Sequence, residues 1–99
     1  NKYENTDNKI QAKPLNITYK PKPKYTDFAR FYNITGNVRV RTTFLKDGSI
    51  GSLTALSKLP FGLTNSAITA AKQIRFDPMI ANGQEVSVTK VVVFTFTIY

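Results

Sequence analysis

Residues 86–99 decide most about what this chain can become. Apart from Lys90 they carry no charge, and valine, threonine, phenylalanine, isoleucine and tyrosine dominate them. Such side chains lose rotamer freedom in a helix and pack well on a pleated surface. The stretch therefore predicts the longest strand of the chain. Val88, Val92, Phe94, Phe96 and Ile98 fall on one face, and Val91, Val93, Thr95, Thr97 and Tyr99 on the other. If this strand lies at the edge of a sheet, its backbone donors and acceptors are open to pairing with another strand.

A second alternating segment supplies its neighbour. Val38, Val40, Thr42 and Phe44 alternate with Arg39, Arg41 and Thr43, the pattern of a half-buried antiparallel strand with a basic outer face. Lys46-Asp47-Gly48-Ser49 reads as a hairpin turn in which Asp-Gly supplies positive φ values. Residues 50–56 return as another strand, with Gly51 marking a bulge.

From Thr64 the period changes. Leu63, Ala67, Ile68, Ala70, Ala71 and Ile74 form one stripe at helical spacing. This predicts an amphipathic helix of about ten residues, with Thr64 as its cap and Asp77-Pro78 preventing continuation beyond Arg75. A shorter helix is predicted over residues 28–32, capped by Thr26 or Asp27 and ended by Asn33-Ile34-Thr35-Gly36. Asn82-Gly83 marks a turn before the last strand. The order helix, strand, strand, helix, strand is α+β. The expected architecture is a small three-stranded antiparallel sheet with a helix packed on one face and a short N-terminal helix.

Residues 1–16 are polar and aperiodic and read as a tail, with Ile17-Thr18-Tyr19 after them a short apolar patch that can form a small strand. In Lys20-Pro21-Lys22-Pro23-Lys24 each proline fixes its own φ and extends the residue before it, while the lysines repel. That run predicts a stiff, hydrated spacer. Two regions follow: residues 1–24 as flexible tail and spacer, and residues 25–99 as the folded domain. The chain begins at Asn1 and its one Met is Met79, which reads as a processed form or an excised domain.

Inventory limits the chemistry. The 99 residues contain no His and no Cys. That excludes imidazole-based triads, thiol nucleophiles, zinc ribbons and disulfides. Of the carboxylates, Glu4 and Asp7 lie in the tail, Asp47 serves the turn, Asp27 a cap and Asp77 the helix stop. Glu85 alone lacks a local duty, and one carboxylate is not an acid–base pair. No cluster suits a metal, no glycine pattern suits a phosphate, and no catalytic residue or cofactor is predicted. The chain is read as a non-enzyme.

The formal charge of +8 raises nucleic acid as a partner. Half of that charge, however, belongs to residues 1–25, where Lys2, Lys9, Lys13, Lys20, Lys22 and Lys24 face only Glu4 and Asp7. The aromatics Phe44, Phe94 and Phe96 follow the apolar alternation and read as core rather than as a stacking platform for bases. What remains is peptide recognition through an open strand edge, in which a partner strand's backbone bonds nearly balance the cost of ordering it. The alternative is that the chain's own N-terminal tail, or a second copy, covers that edge.

Several segments in order complete the reading: Pro23-Lys24-Tyr25-Thr26-Asp27-Phe28-Ala29-Arg30, Gly36-Asn37-Val38-Arg39-Val40, Lys46-Asp47-Gly48-Ser49-Ile50, Ala67 with Ala70-Ala71, Phe76-Asp77-Pro78, and Asn82-Gly83. Over residues 21–99 this series resembles the C-terminal domain of TonB-type energy transducers. Thr26 stands where that family has a proline after the tyrosine. The resemblance implies a periplasmic domain of a Gram-negative bacterium, anchored to the inner membrane through a region outside this chain and driven by an ExbB–ExbD-like motor. It implies binding of the TonB box of an outer-membrane transporter beside the last strand, for uptake of siderophore–iron or cobalamin. The residues so implicated are Val86, Val88, Thr89, Lys90, Val91, Val92, Val93, Phe94, Thr95 and Phe96, with Lys24, Tyr25, Thr26 and Asp27 as a secondary contact. A proline at Val92 is then expected to remove a donor the partner uses or, if Val92 bonds inward, to unfold the domain. Fragments of the family also form intertwined dimers, so a homodimer is a further expectation. Two other readings stay open: a TonB-like module appended to another envelope protein, and a basic domain binding an anionic polymer.

Overall fold

The computed structural model describes residues 11–98. Most of the polar tail (residues 1–10) and Tyr99 lie outside them. The described chain is α+β. Its central sheet is antiparallel, with strands β3 (Gly36–Phe44), β4 (Ile50–Ala55) and β8 (Val88–Phe96) in the order β4-β3-β8. Helix α2 (Leu63–Lys72) packs across β3 and β4. Helix α1 (Asp27–Phe31) precedes the sheet.

The core follows the predicted alternations. Val38, Val40 and Phe44 of β3, Val92, Phe94 and Phe96 of β8, and Leu63, Ala67, Ala70 and Ala71 of α2 are buried together. The small alanines bring the helix close to the sheet, and the phenylalanines fill the space beside it. Thr42 is also fully buried, and its Oγ1 donates to the Val40 carbonyl at 3.2 Å. That bond removes the cost of an unpaired buried hydroxyl.

Local features depart from the expected ones for identifiable reasons. The cap of α2 is Gly62, at φ 82°, not Thr64. Thr64 Oγ1 accepts from the Leu59 N–H at 2.9 Å and donates to the Leu59 carbonyl at 3.0 Å, so it closes the preceding loop. In the β3–β4 turn only Gly48 has positive φ. Asp47 instead accepts from the Ser49 N–H at 2.9 Å and the Ser49 hydroxyl at 2.5 Å. These bonds favour the carboxylate and hold the Asp47 pKa below its ordinary value. The β4 bulge falls near Gly51, where pairing jumps from Thr42–Leu53 to Phe44–Ile50.

Five short strands complete the fold, one on the Ile17-Thr18-Tyr19 patch and four not expected as separate strands. β1 (Ala12–Lys13) pairs with β6 (Met79–Ala81), which pairs with β7 (Gln84–Val86). β2 (Asn16–Tyr19) pairs with β5 (Arg75–Asp77). Part of the polar tail is thus tied down by partners more than sixty positions away, as in the 3.3 Å bond from Asn16 Nδ2 to Asp77 Oδ2. The final strand is also broken. Val86 belongs to β7 opposite Met79, and the Ser87 hydroxyl accepts from the Lys46 N–H at 2.9 Å. The chain re-enters the central sheet only at Val88.

Candidate functional site

β8 is an edge of the central sheet, paired on one side with β3 through all nine positions from Val88 to Phe96. Which way each backbone group points follows from β3. The Arg39 N–H donates to Ser57 Oγ at 2.9 Å and its carbonyl accepts from the Leu56 N–H at 2.7 Å, both on the β4 side. Arg39 stands opposite Val93. In an antiparallel pair, opposing residues either bond each other or both turn away. The Val93 N–H and carbonyl therefore face outward from the sheet, and by alternation so do those of Thr89, Val91 and Thr95. Val88, Lys90, Val92, Phe94 and Phe96 use their backbones toward β3.

This sorts the predicted residues. Thr89, Val91, Val93 and Thr95 can offer hydrogen bonds to an added strand. Val92, Phe94 and Phe96 are buried and support the edge from within. The donor of Val92 is committed to β3, which selects the second of the two expected outcomes: a proline there would disrupt the sheet. Val86 lies on a different strand and is not part of this edge.

The solvent face beside the edge is a cross-strand ladder. Thr95 Oγ1 donates to Asn37 Oδ1 at 2.8 Å, Arg39 stands across from Val93, Arg41 from Val91, and the Thr43 and Thr89 hydroxyls bond at 3.1 Å. Val91 and Val93 keep 46% and 40% of their surface exposed. An added strand would find alternating apolar and hydroxyl side chains flanked by two guanidinium groups.

The other edge, β4, is shorter and carries the bulge near Gly51, which breaks a regular pairing row. β8 is the longer and more regular template.

The predicted secondary segment is brought to the end of β8. The Tyr25 ring meets Phe96 edge-on at 5.4 Å, its hydroxyl donates to the Ile34 carbonyl, and the Arg30 guanidinium lies 4.8 Å from its ring centre. Thr26 is the cap of α1: its Oγ1 accepts from the Ala29 N–H at 3.3 Å and donates to the Phe61 carbonyl at 2.7 Å. Lys24 and Asp27 are exposed. A cleft of about 530 Å³ lies here, lined by Lys22, Pro23, Tyr25, Arg30, Thr95, Phe96 and Thr97.

The proline-lysine run is not a free spacer. Pro21 is buried, Lys20 Nζ donates to the Val93 carbonyl at 2.6 Å, and the same ammonium lies 4.9 Å from the Phe94 ring centre. Local composition predicts hydration of such a run, but apolar side chains at the sheet edge give the prolines a surface to cover.

Asp47, Asp77 and Glu85 sit on separate elements, and no group of three carboxylates gathers among the described residues.

Comparison with known proteins places the chain by family and fold. The family model for the Gram-negative bacterial TonB protein C-terminal matches residues 21–98. The solution NMR structure of the Pseudomonas aeruginosa TonB CTD matches with a TM-score of 0.68 at 26% sequence identity, over 85% of this chain and 86% of that one. No curated protein sequence matches the chain at a significant level. The chain therefore belongs to the family of TonB C-terminal domains, periplasmic domains of Gram-negative bacteria that act by interaction rather than catalysis.

Proposed function

We infer that this domain binds the TonB box of an outer-membrane transporter as an added strand along β8. We infer further that it transmits energy from a proton-driven inner-membrane motor of ExbB–ExbD type for uptake of siderophore–iron or cobalamin. The observation that supports this best is the regular nine-residue edge whose Val93 carbonyl, among the described residues, is held only by a lysine side chain. Family membership supplies the class of partner. The anchor and motor contacts belong to regions outside this chain.

The energetics suit a reversible hook. An added strand of about five residues gains about 0.5–1.5 kcal/mol net per backbone bond. Ordering it costs about 1–2 kcal/mol per residue. Binding is weak unless the exposed valines and arginines contribute, which allows engagement and release.

The test is an NMR titration of the isotope-labelled chain with a synthetic TonB-box peptide. The amides of Thr89, Val91, Val93 and Thr95 should shift most. Shifts confined to Arg39 and Arg41, with salt-sensitive retention on heparin, would instead mark an anionic-polymer binder.

A further inference from the structure

We propose that residues 20–23 form a displaceable strap over the β8 edge, so that an incoming strand must compete with the chain's own N-terminal segment. This rests on reading β8 as the peptide-binding edge and adds a gate to it. Lys20, Pro21, Lys22 and Pro23 line one cleft with Val93, Phe94 and Thr95, so the strap occupies the space that a strand added to those residues would need.

The strap covers the edge without completing it. Pro21 and Pro23 have no N–H to donate. Among the described residues, the hydrogen bond from strap to β8 comes from the Lys20 side chain, and no backbone bond joins the two segments. A single side-chain bond at an exposed position is weak. A partner strand would replace it with a row of backbone bonds to the same outward groups. The Lys20 ammonium also lies over the Phe94 ring while the edge is empty, and the strap blocks pairing with a second copy of the sheet. Its alternating prolines thus serve two requirements: they exclude stray strands, and they make no backbone bond of their own to the outward donors and acceptors, of which Lys20 holds the Val93 carbonyl alone.

The strap is held at both ends, which returns it after release. Upstream, β2 pairs with β5. Downstream, Tyr25 is fixed on Ile34 and Phe96. Displacement therefore needs movement only of the five residues, 20–24, between these anchors.

The chain has no cysteine, so one nitroxide can be placed at Lys22→Cys. In the free domain the label should broaden the amides of Val93 and Thr95. A TonB-box peptide should shift those amides and relieve the broadening together. Lys20→Ala should bind the peptide about fivefold more tightly than the parent. Lys22→Ala, which loses the same charge but no bond to β8, should bind like the parent. If the peptide shifts β8 amides while broadening persists, or if both alanine variants bind alike, the strap proposal is overturned and edge binding stands. If the peptide shifts no β8 amide in either the parent or Lys20→Ala, edge binding itself fails and the gate with it.

Discussion

Arg39 and Val93 face each other across β3 and β8 with their backbones turned apart. Arg39 spends its N–H and carbonyl on Ser57 and Leu56, so Val93 presents its own pair to the outside, where Lys20 takes the carbonyl. This relationship sets the phase of the edge: the odd-numbered residues from Thr89 to Thr95 are outward, and the even ones belong to the sheet. The proposed binding mode depends on that phase, because a one-residue shift would aim the buried phenylalanines' backbones outward and change what a partner could read.

The phase predicts opposite outcomes for neighbouring prolines. Val93→Pro removes an outward donor and leaves the β3 ladder intact, so circular dichroism should be preserved while peptide-induced amide shifts disappear. Val92→Pro removes a donor used by β3 and should unfold the domain. A folded Val92→Pro protein that had lost binding would contradict the assigned phase.

Thr26 joins two elements through one hydroxyl, capping α1 and holding the Phe61 carbonyl. Thr26→Ala should cost about 1–2 kcal/mol in urea denaturation, and Thr26→Ser should recover most of it. Equal losses in both variants would show that the methyl, not the hydroxyl, matters.

The β6–β7 hairpin turns through Asn82 at φ 53° and Gly83 at φ 77°, the left-handed pair of a tight two-residue loop. Asn82→Ala should cost about 1 kcal/mol locally. Amide exchange across Ile80–Glu85 should speed up by roughly fivefold to tenfold, while Asn82→Gly stays near the parent rate.

The Asp47 carboxylate is stabilised by Ser49 in the fold, so its pKa is lower folded than unfolded. Its contribution is fully present above the unfolded value, near 4, and fades as pH falls through the folded value. The difference in stability between the parent and Asp47→Asn should therefore be constant from pH 7 to about 5 and shrink below pH 4. The carboxylate is fully exposed, so the effect is small and should weaken with added salt.

Much of the fold was legible in the residues. The period-two alternation of residues 38–44 and 88–96 named the buried faces, because side chains on a strand must alternate across a sheet. The alanine stripe named the helix, Thr26 its smaller neighbour's cap, and Asn82-Gly83 a turn. The absence of His and Cys settled which chemistries the chain cannot perform.

Other features existed only in three dimensions. Strands of two to four residues such as β1, β2 and β5 bury too little to leave a periodic signal, and they form because distant partners supply their bonds. Thr64 looked like a cap, yet Leu59 claimed its hydroxyl. Ser87 broke an apparently continuous strand by reaching Lys46. The proline-lysine run read as solvated spacer until the β8 edge gave it a surface. By itself the sequence determined which faces of the two long strands and of α2 are buried, since that follows from local periodicity and hydrophobicity. Only the tertiary structure decided which edge is available and what lies on it, because strand order and docking depend on contacts between residues far apart in the chain.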